Sequence, residues 1–147
     1  MDTYNKIKVD EKKGLDARYT DVDWDGDGKL HRVTCTRFFD ARVKIDQVKK
    51  FMDDYAEKTE EMSKGKMKVT FLQIDDGCEI VLNKLKTPMV MDDRSLITAQ
   101  YFWTSEDGSF HSLGTDKGND ACYEQYCDLI GKDTLMKQRL SYNHFYE

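Results

Sequence analysis

From Met67 to Trp103 the chain repeats a single pattern, in which apolar and polar residues alternate in short runs separated by turn residues. MKVTFLQI (67–74) sets Met67, Val69 and Phe71 against Lys68, Thr70 and Leu72. CEIVLNKLK (78–86) sets Cys78, Ile80 and Leu82 against Glu79, Val81 and Asn83. A period of two places alternate side chains on opposite faces of a strand. The DDG between these runs (75–77) is a tight turn, because Gly takes positive φ and Asp bonds its own backbone. Pro88 stops the second run by removing a ladder donor. RSLITAQYFW (94–103) is the most β-prone stretch of the chain, and SEDGSF (105–110) turns it back into FHSLGT.

The period changes in KIDQVKKFMDDYAEK, where Ile45, Val48, Phe51, Met52 and Tyr55 recur at helical spacing while Lys49, Lys50, Asp53 and Asp54 take the wet face. This predicts an amphipathic helix over about 45–56. Upstream, DVDWDGDGKLHR (21–32) opens like a calcium-binding loop at Asp21, Asp23, Asp25 and Gly26. Its twelfth position is Arg32, where such a loop needs a bidentate glutamate. The better reading is a hairpin tip joining strands at about 15–22 and 29–43, with no metal held. The tail is open to several readings. Residues 119–130 suit a helix, with Cys122, Tyr126, Leu129 and Ile130 on one face; where it closes a pocket, Tyr126, Leu129 and Ile130 face the sheet. LMKQRLSYNHFYE alternates imperfectly as a strand, and the end of the chain is alternatively a truncated one.

These elements predict an α+β fold, a single domain spanning 1–147, with one strongly twisted antiparallel sheet and a helix inserted early. The composition supports a packed core: 39% hydrophobic and 12% aromatic residues in 147. A net charge of −5 with interleaved signs disfavours a nucleic-acid partner, which needs a basic stripe. No apolar run reaches the ~18 residues that span a bilayer. Cys35, Cys78, Cys122 and Cys127 form no CxxC pair and have no histidine at zinc-finger spacing, so they read as reduced thiols in a cytoplasmic protein. His31, His111 and His144 are scattered, with no triad-like pattern around them. The residues therefore yield no catalytic assignment and no cofactor.

The stretch from about 29 to 113 resembles the START domain, the lipid-transfer domain related to the steroidogenic acute regulatory protein. More broadly it is similar to the helix-grip superfamily that includes the birch-pollen-allergen-like proteins. Asp76, Gly77, Ile80, Val81, Leu85, Pro88, Asp93, Arg94, Tyr101, Asp107 and Gly108 carry the likeness. The resemblance implies a curved antiparallel sheet gripping a helix around an internal apolar cavity that holds one amphipathic lipid, with transient membrane contact. It also leaves room for a co-chaperone-like interaction module with a filled core, or for an enzyme of cyclase or hydrolase type. The family's long closing helix would be shortened here. Where sterol-binding members carry a buried arginine this chain has Gln100, which suits a hydroxyl, ester or carbonyl and hence a neutral, diglyceride-like lipid. The expected ligand-binding residues are Ile80, Leu82, Leu96, Thr98, Gln100 and Phe102. Arg94 is a candidate anchor or a structural partner of Asp92 or Asp93.

Overall fold

The computed structural model describes residues 5–23, 29–38, 42–136 and 140–146. They divide into two compact units, Met1–Val43 and Lys44–Glu147.

The first unit is a three-stranded antiparallel sheet in the order β1-β2-β3. Strand β1 (Asn5–Asp10) was not expected from the sequence. One 3-10 turn, Glu11–Lys13, leads to Gly14, and the Asp10 carboxylate accepts the Lys13 N–H at 3.2 Å. Gly14 sits at φ +57°, and a Cβ there would lie 3.0 Å from the Phe38 Cβ, so the turn needs a residue without a side chain. Strands β2 (Leu15–Asp23) and β3 (Lys29–Arg37) pair from Leu15↔Arg37 to Asp23↔Lys29. The acidic stretch is thus flanked by strands, where a calcium loop would have helices. Its tip, 24–28, lies outside the described residues. The expected strand to 43 ends at Arg37. The expectation of one sheet for the whole chain is also corrected, since this hairpin pairs with β1 and not with the later strands.

The second unit opens with helices α1 (Ile45–Asp53) and α2 (Tyr55–Met62). The Gln47 side chain accepts the Lys44 N–H at 2.8 Å, which fixes the start of α1. The expected single helix breaks at Asp54 (φ −94°, ψ 15°) and resumes as α2, which runs on to Met62, beyond the expected end at about 56. Strands β4 (Met67–Asp75), β5 (Cys78–Leu85), β6 (Arg94–Thr104) and β7 (Phe110–Thr115) follow as antiparallel neighbours. Helices α3 (Asp120–Gln125) and α4 (Cys127–Ile130) come next. Strand β8 (Thr134–Leu135) pairs parallel with β6, and β9 (Ser141–Phe145) closes the sheet beside β7. The tail therefore forms both helices and strands. The architecture is α+β, built on a large antiparallel sheet.

Register decides what each face of this sheet carries. Leu82 lies opposite Ile97 and Ile80 opposite Ala99, so these four share a face. Asn83 lies opposite Leu96 and Val81 opposite Thr98, and these occupy the other face. On the first face Leu82 and Ile97 are fully buried and pack with Ile130 of α4, joined by Leu72, Cys122 and Tyr123. Leu72 follows in phase with Thr70, which lies opposite Leu82, and so joins this cluster from the face away from Met67, Val69 and Phe71, while a β-bulge between Phe71 and Gln73 leaves it without a cross-strand partner.

Candidate ligand cavity and a histidine ladder

The second face of the sheet is covered differently. Met52 and Tyr55, on either side of the break between α1 and α2, stand over a cavity of about 270 Å³. Its sheet side is formed by Asn83 of β5, by Leu96, Thr98, Gln100 and Phe102 of β6, and by Ser112 and Gly114 of β7 across from Ser141 and Asn143 of β9. Apolar groups on the helix side thus meet a floor rich in neutral hydroxyls and amides. Among the described residues none that lines it is Asp, Glu, Lys, Arg or His. Asn143 donates to the Ser112 hydroxyl at 3.1 Å. The Thr98 hydroxyl has no partner although the residue is only 1% exposed. A buried hydroxyl without a partner costs free energy that a bound acceptor or donor would recover.

Four of the six residues expected to bind ligand therefore line one cavity: Leu96, Thr98, Gln100 and Phe102. Ile80 and Leu82 do not. They point to the opposite face, because the antiparallel register puts them across from Ala99 and Ile97. Reading each strand alone left its phase relative to its neighbour undetermined, and the register sets Ile80 and Leu82 on the face away from Leu96, Thr98, Gln100 and Phe102. Helices α3 and α4 also lie on the Leu82–Ile97 face, away from the cavity, so they do not close it. Of the three residues expected to face the sheet only Ile130 is buried; Leu129 is exposed. Arg94 stands opposite Leu85, outside the cavity lining.

Electrostatics differ across the sheet. Glu79, on the cavity face opposite Gln100, is held above the ordinary carboxylate range by burial and by repulsion from Asp53. On the other face burial would raise the Asp133 carboxyl, but the Ser95 hydroxyl (2.6 Å) and the Lys84 ammonium (3.1 Å) outweigh it and hold it low. Lys84 also donates to the Leu129 carbonyl at 2.7 Å, tying the end of α4 to β5.

At the cavity's Met67–Leu96 end, the loop between β5 and β6 projects an apolar tip. Met89 and Val90 are fully exposed and Met91 half so. The tip is not held by its own apolar groups but by polar ones. Met91 N–H donates to the Pro88 carbonyl, the Thr87 hydroxyl donates to the Met91 and Asp92 carbonyls, and Asp93 accepts the Thr87 N–H. Exposed Lys66 and Lys86 adjoin it, joined by a backbone bond of 2.8 Å.

The opposite end of the sheet carries a second cluster, which the sequence reading missed. Trp103, His111 and His144 are directly opposed on β6, β7 and β9. Their rings stack at 4.9 and 4.4 Å, within 2° and 9° of parallel, close to the ~4.8 Å spacing of the strands that carry them. His111 Nε2 lies 2.8 Å from Ser105 Oγ, and its Nδ1 lies 2.8 Å from the Tyr142 hydroxyl. Only pairing across three strands brings these groups together, and no spacing in the chain signals it.

Among the described residues no cluster of His, Cys, Asp and Glu is arranged to hold a metal ion, and no helix is long and apolar enough to cross a membrane. Comparison with known protein families, with curated proteins and with solved structures finds no match.

Proposed function

We propose that residues 44–147 form a binding domain of helix-grip type, similar to the START domain, that holds one small uncharged amphipathic molecule between the α1–α2 pair and the sheet. The observation that carries this reading is the unpartnered Thr98 hydroxyl, buried on the floor of a cavity with no charged lining residue among the described residues. A ligand hydroxyl, ester or carbonyl there would satisfy it, with Gln100 as a second neutral partner. Volume narrows the ligand class. About 270 Å³ is near the lower end of ligand pockets and equals the liquid volume of roughly nine waters. That favours a single ring system or one short acyl chain over a two-chain glyceride. The exposed Met89–Val90–Met91 tip at the same end as Met67 and Leu96, with Lys66 and Lys86 beside it, supports collection of such a molecule from an anionic lipid surface.

Native mass spectrometry of the purified chain tests the reading, and a mass above that of the polypeptide, released on denaturation, is the expected result. Leu96→Trp should fill the cavity and abolish uptake of a short fluorescent acyl probe while leaving the circular dichroism unchanged. Undiminished uptake by that variant would place the ligand elsewhere.

A further inference from the structure

We propose that Ser105, His111 and Tyr142 form a serine acyl-transfer site, separate from the cavity, that cleaves small uncharged carboxylic esters. The geometry is that of a nucleophile, its base and a group that orients the base. Ser105 Oγ and the Tyr142 hydroxyl each lie 2.8 Å from a different nitrogen of one imidazole. When Nδ1–H donates to Tyr142, the Nε2 lone pair faces the Ser105 hydroxyl and accepts its proton. The ring cannot rotate away from that alignment, because Trp103 stacks on one side of it and His144 on the other. His111 is 8% exposed, so the base is shielded, while Ser105 is partly open to solvent.

The backbone fixes the nucleophile as firmly. Ser105 N–H donates to the Ser109 carbonyl, and Gly108 N–H donates to the Ser105 carbonyl, both at 2.9 Å. Gly108, at φ +83°, makes this tight turn possible. The turn borders an open groove of about 710 Å³ whose walls include Asp46, Lys49, Asp107 and His144. Two carboxylates against one ammonium there disfavour an anionic substrate, and the half-exposed Trp103 and Tyr142, both in contact with His111, favour an apolar acyl group.

The reaction runs in two steps. Ser105 Oγ attacks the ester carbonyl carbon as its proton passes to His111 Nε2. The adduct collapses, the C–O bond to the alcohol breaks, and the departing alkoxide takes that proton. Water then gives a proton to His111 and attacks the acyl-serine carbon. The Ser105 oxygen leaves with the proton from His111, and a carboxylic acid is released. Ester and water are the only co-reactants. Ser105 and His111 are the catalytic residues and Tyr142 is a positioning residue.

The test is labelling of the full chain with a fluorophosphonate, which loses fluoride to a nucleophilic serine, followed by peptide mapping. One adduct on Ser105 is expected, with labelling at least about 100-fold slower in His111→Gln. Tyr142→Phe should slow labelling and displace the midpoint of its pH profile. Absence of the Ser105 adduct, or labelling that is indifferent to His111→Gln, overturns the proposal and makes the ladder a packing device. An unmoved pH profile removes Tyr142 from it. Should His111→Gln fail to fold, Ser105→Cys serves instead: its thiol should react with iodoacetamide at least tenfold faster than exposed Cys35 or Cys127, and an equal rate refutes the base.

Discussion

One set of strands carries two faces that were finished in opposite ways. Behind β5 and β6, α3 and α4 press Ile130 and Tyr123 onto Leu82 and Ile97, and polar groups there are paired. In front, α1 and α2 stand over a gap, and Thr98 has no partner. Composition does not distinguish the faces, since fully buried Val81 lies on the cavity side and fully buried Ser95 on the packed side. What differs is whether the covering helices complete the contacts. A face where they do is built for stability, and a face where they do not is available for a guest.

Truncating a leucine on each face separates the two most strongly. Leu82→Ala should cost about 3 kcal/mol or more in urea denaturation, as expected for an enclosed leucine. Leu96→Ala, bordering existing space, should cost about 1 kcal/mol, since the site has fewer contacts to lose. Equal losses would mean that both faces are packed alike.

Next in size is the polar staple. Asp133→Asn should cost about 1.5 kcal/mol at neutral pH, because the Ser95 hydroxyl and Lys84 lose a charged partner. The sign with pH follows from the lowered Asp133 value. Its stabilisation is complete above the ordinary carboxylate range and disappears as pH falls through the lower folded value. Denaturation midpoints measured at descending pH should thus converge for parent and variant.

Thr98→Val sharpens the contrast. Replacing an unpartnered buried hydroxyl should leave the free protein as stable as before or more so, by up to about 1 kcal/mol, while weakening capture of any molecule that bonds it. Calorimetric melting with and without the acyl probe separates the two effects.

Smallest is Glu79→Gln on the cavity face. Glu79 is held high, so its ionisation works against folding. The penalty is absent below the unfolded value and grows until pH has passed the folded one. With Glu79 partly exposed, the variant should gain under about 0.5 kcal/mol at neutral pH and nothing in acid. That is opposite in sign to Asp133 behind the sheet.

Much of the second unit was legible because its strands obey simple alternation and its turns carry Asp-Gly. Boundaries for 67–75, 78–85, 94–104 and 110–115 fall within a residue or two of expectation. What resisted reading depends on relations between segments. Ile80 and Leu82 alternate like any inward pair, and only the Leu82↔Ile97 register shows which side they face. Leu72 shares its face with polar Lys68 and Thr70, and only the Thr70↔Leu82 register shows that this face meets the core. Strand β1 was hidden by its lysines. His111 gave no local sign of Ser105 or Tyr142, because six and thirty-one residues separate them and no motif joins the three.

The outer edge of β6 has a consequence for how the molecule behaves in a crowd. Strand β7 serves that edge from Ala99 onward, and β8 serves it at Arg94 and Ser95. At Ile97, between them, side chains stand in for a strand: Tyr123 takes the N–H and Asn119 supplies a donor to the carbonyl, each at 3.2 Å. A stretch that would otherwise offer itself to the backbone of another copy is thereby closed to it. Two polar side chains, one on a short helix and one at its N-cap, thus act as a guard against polymerisation, at the point of the chain richest in β-forming residues.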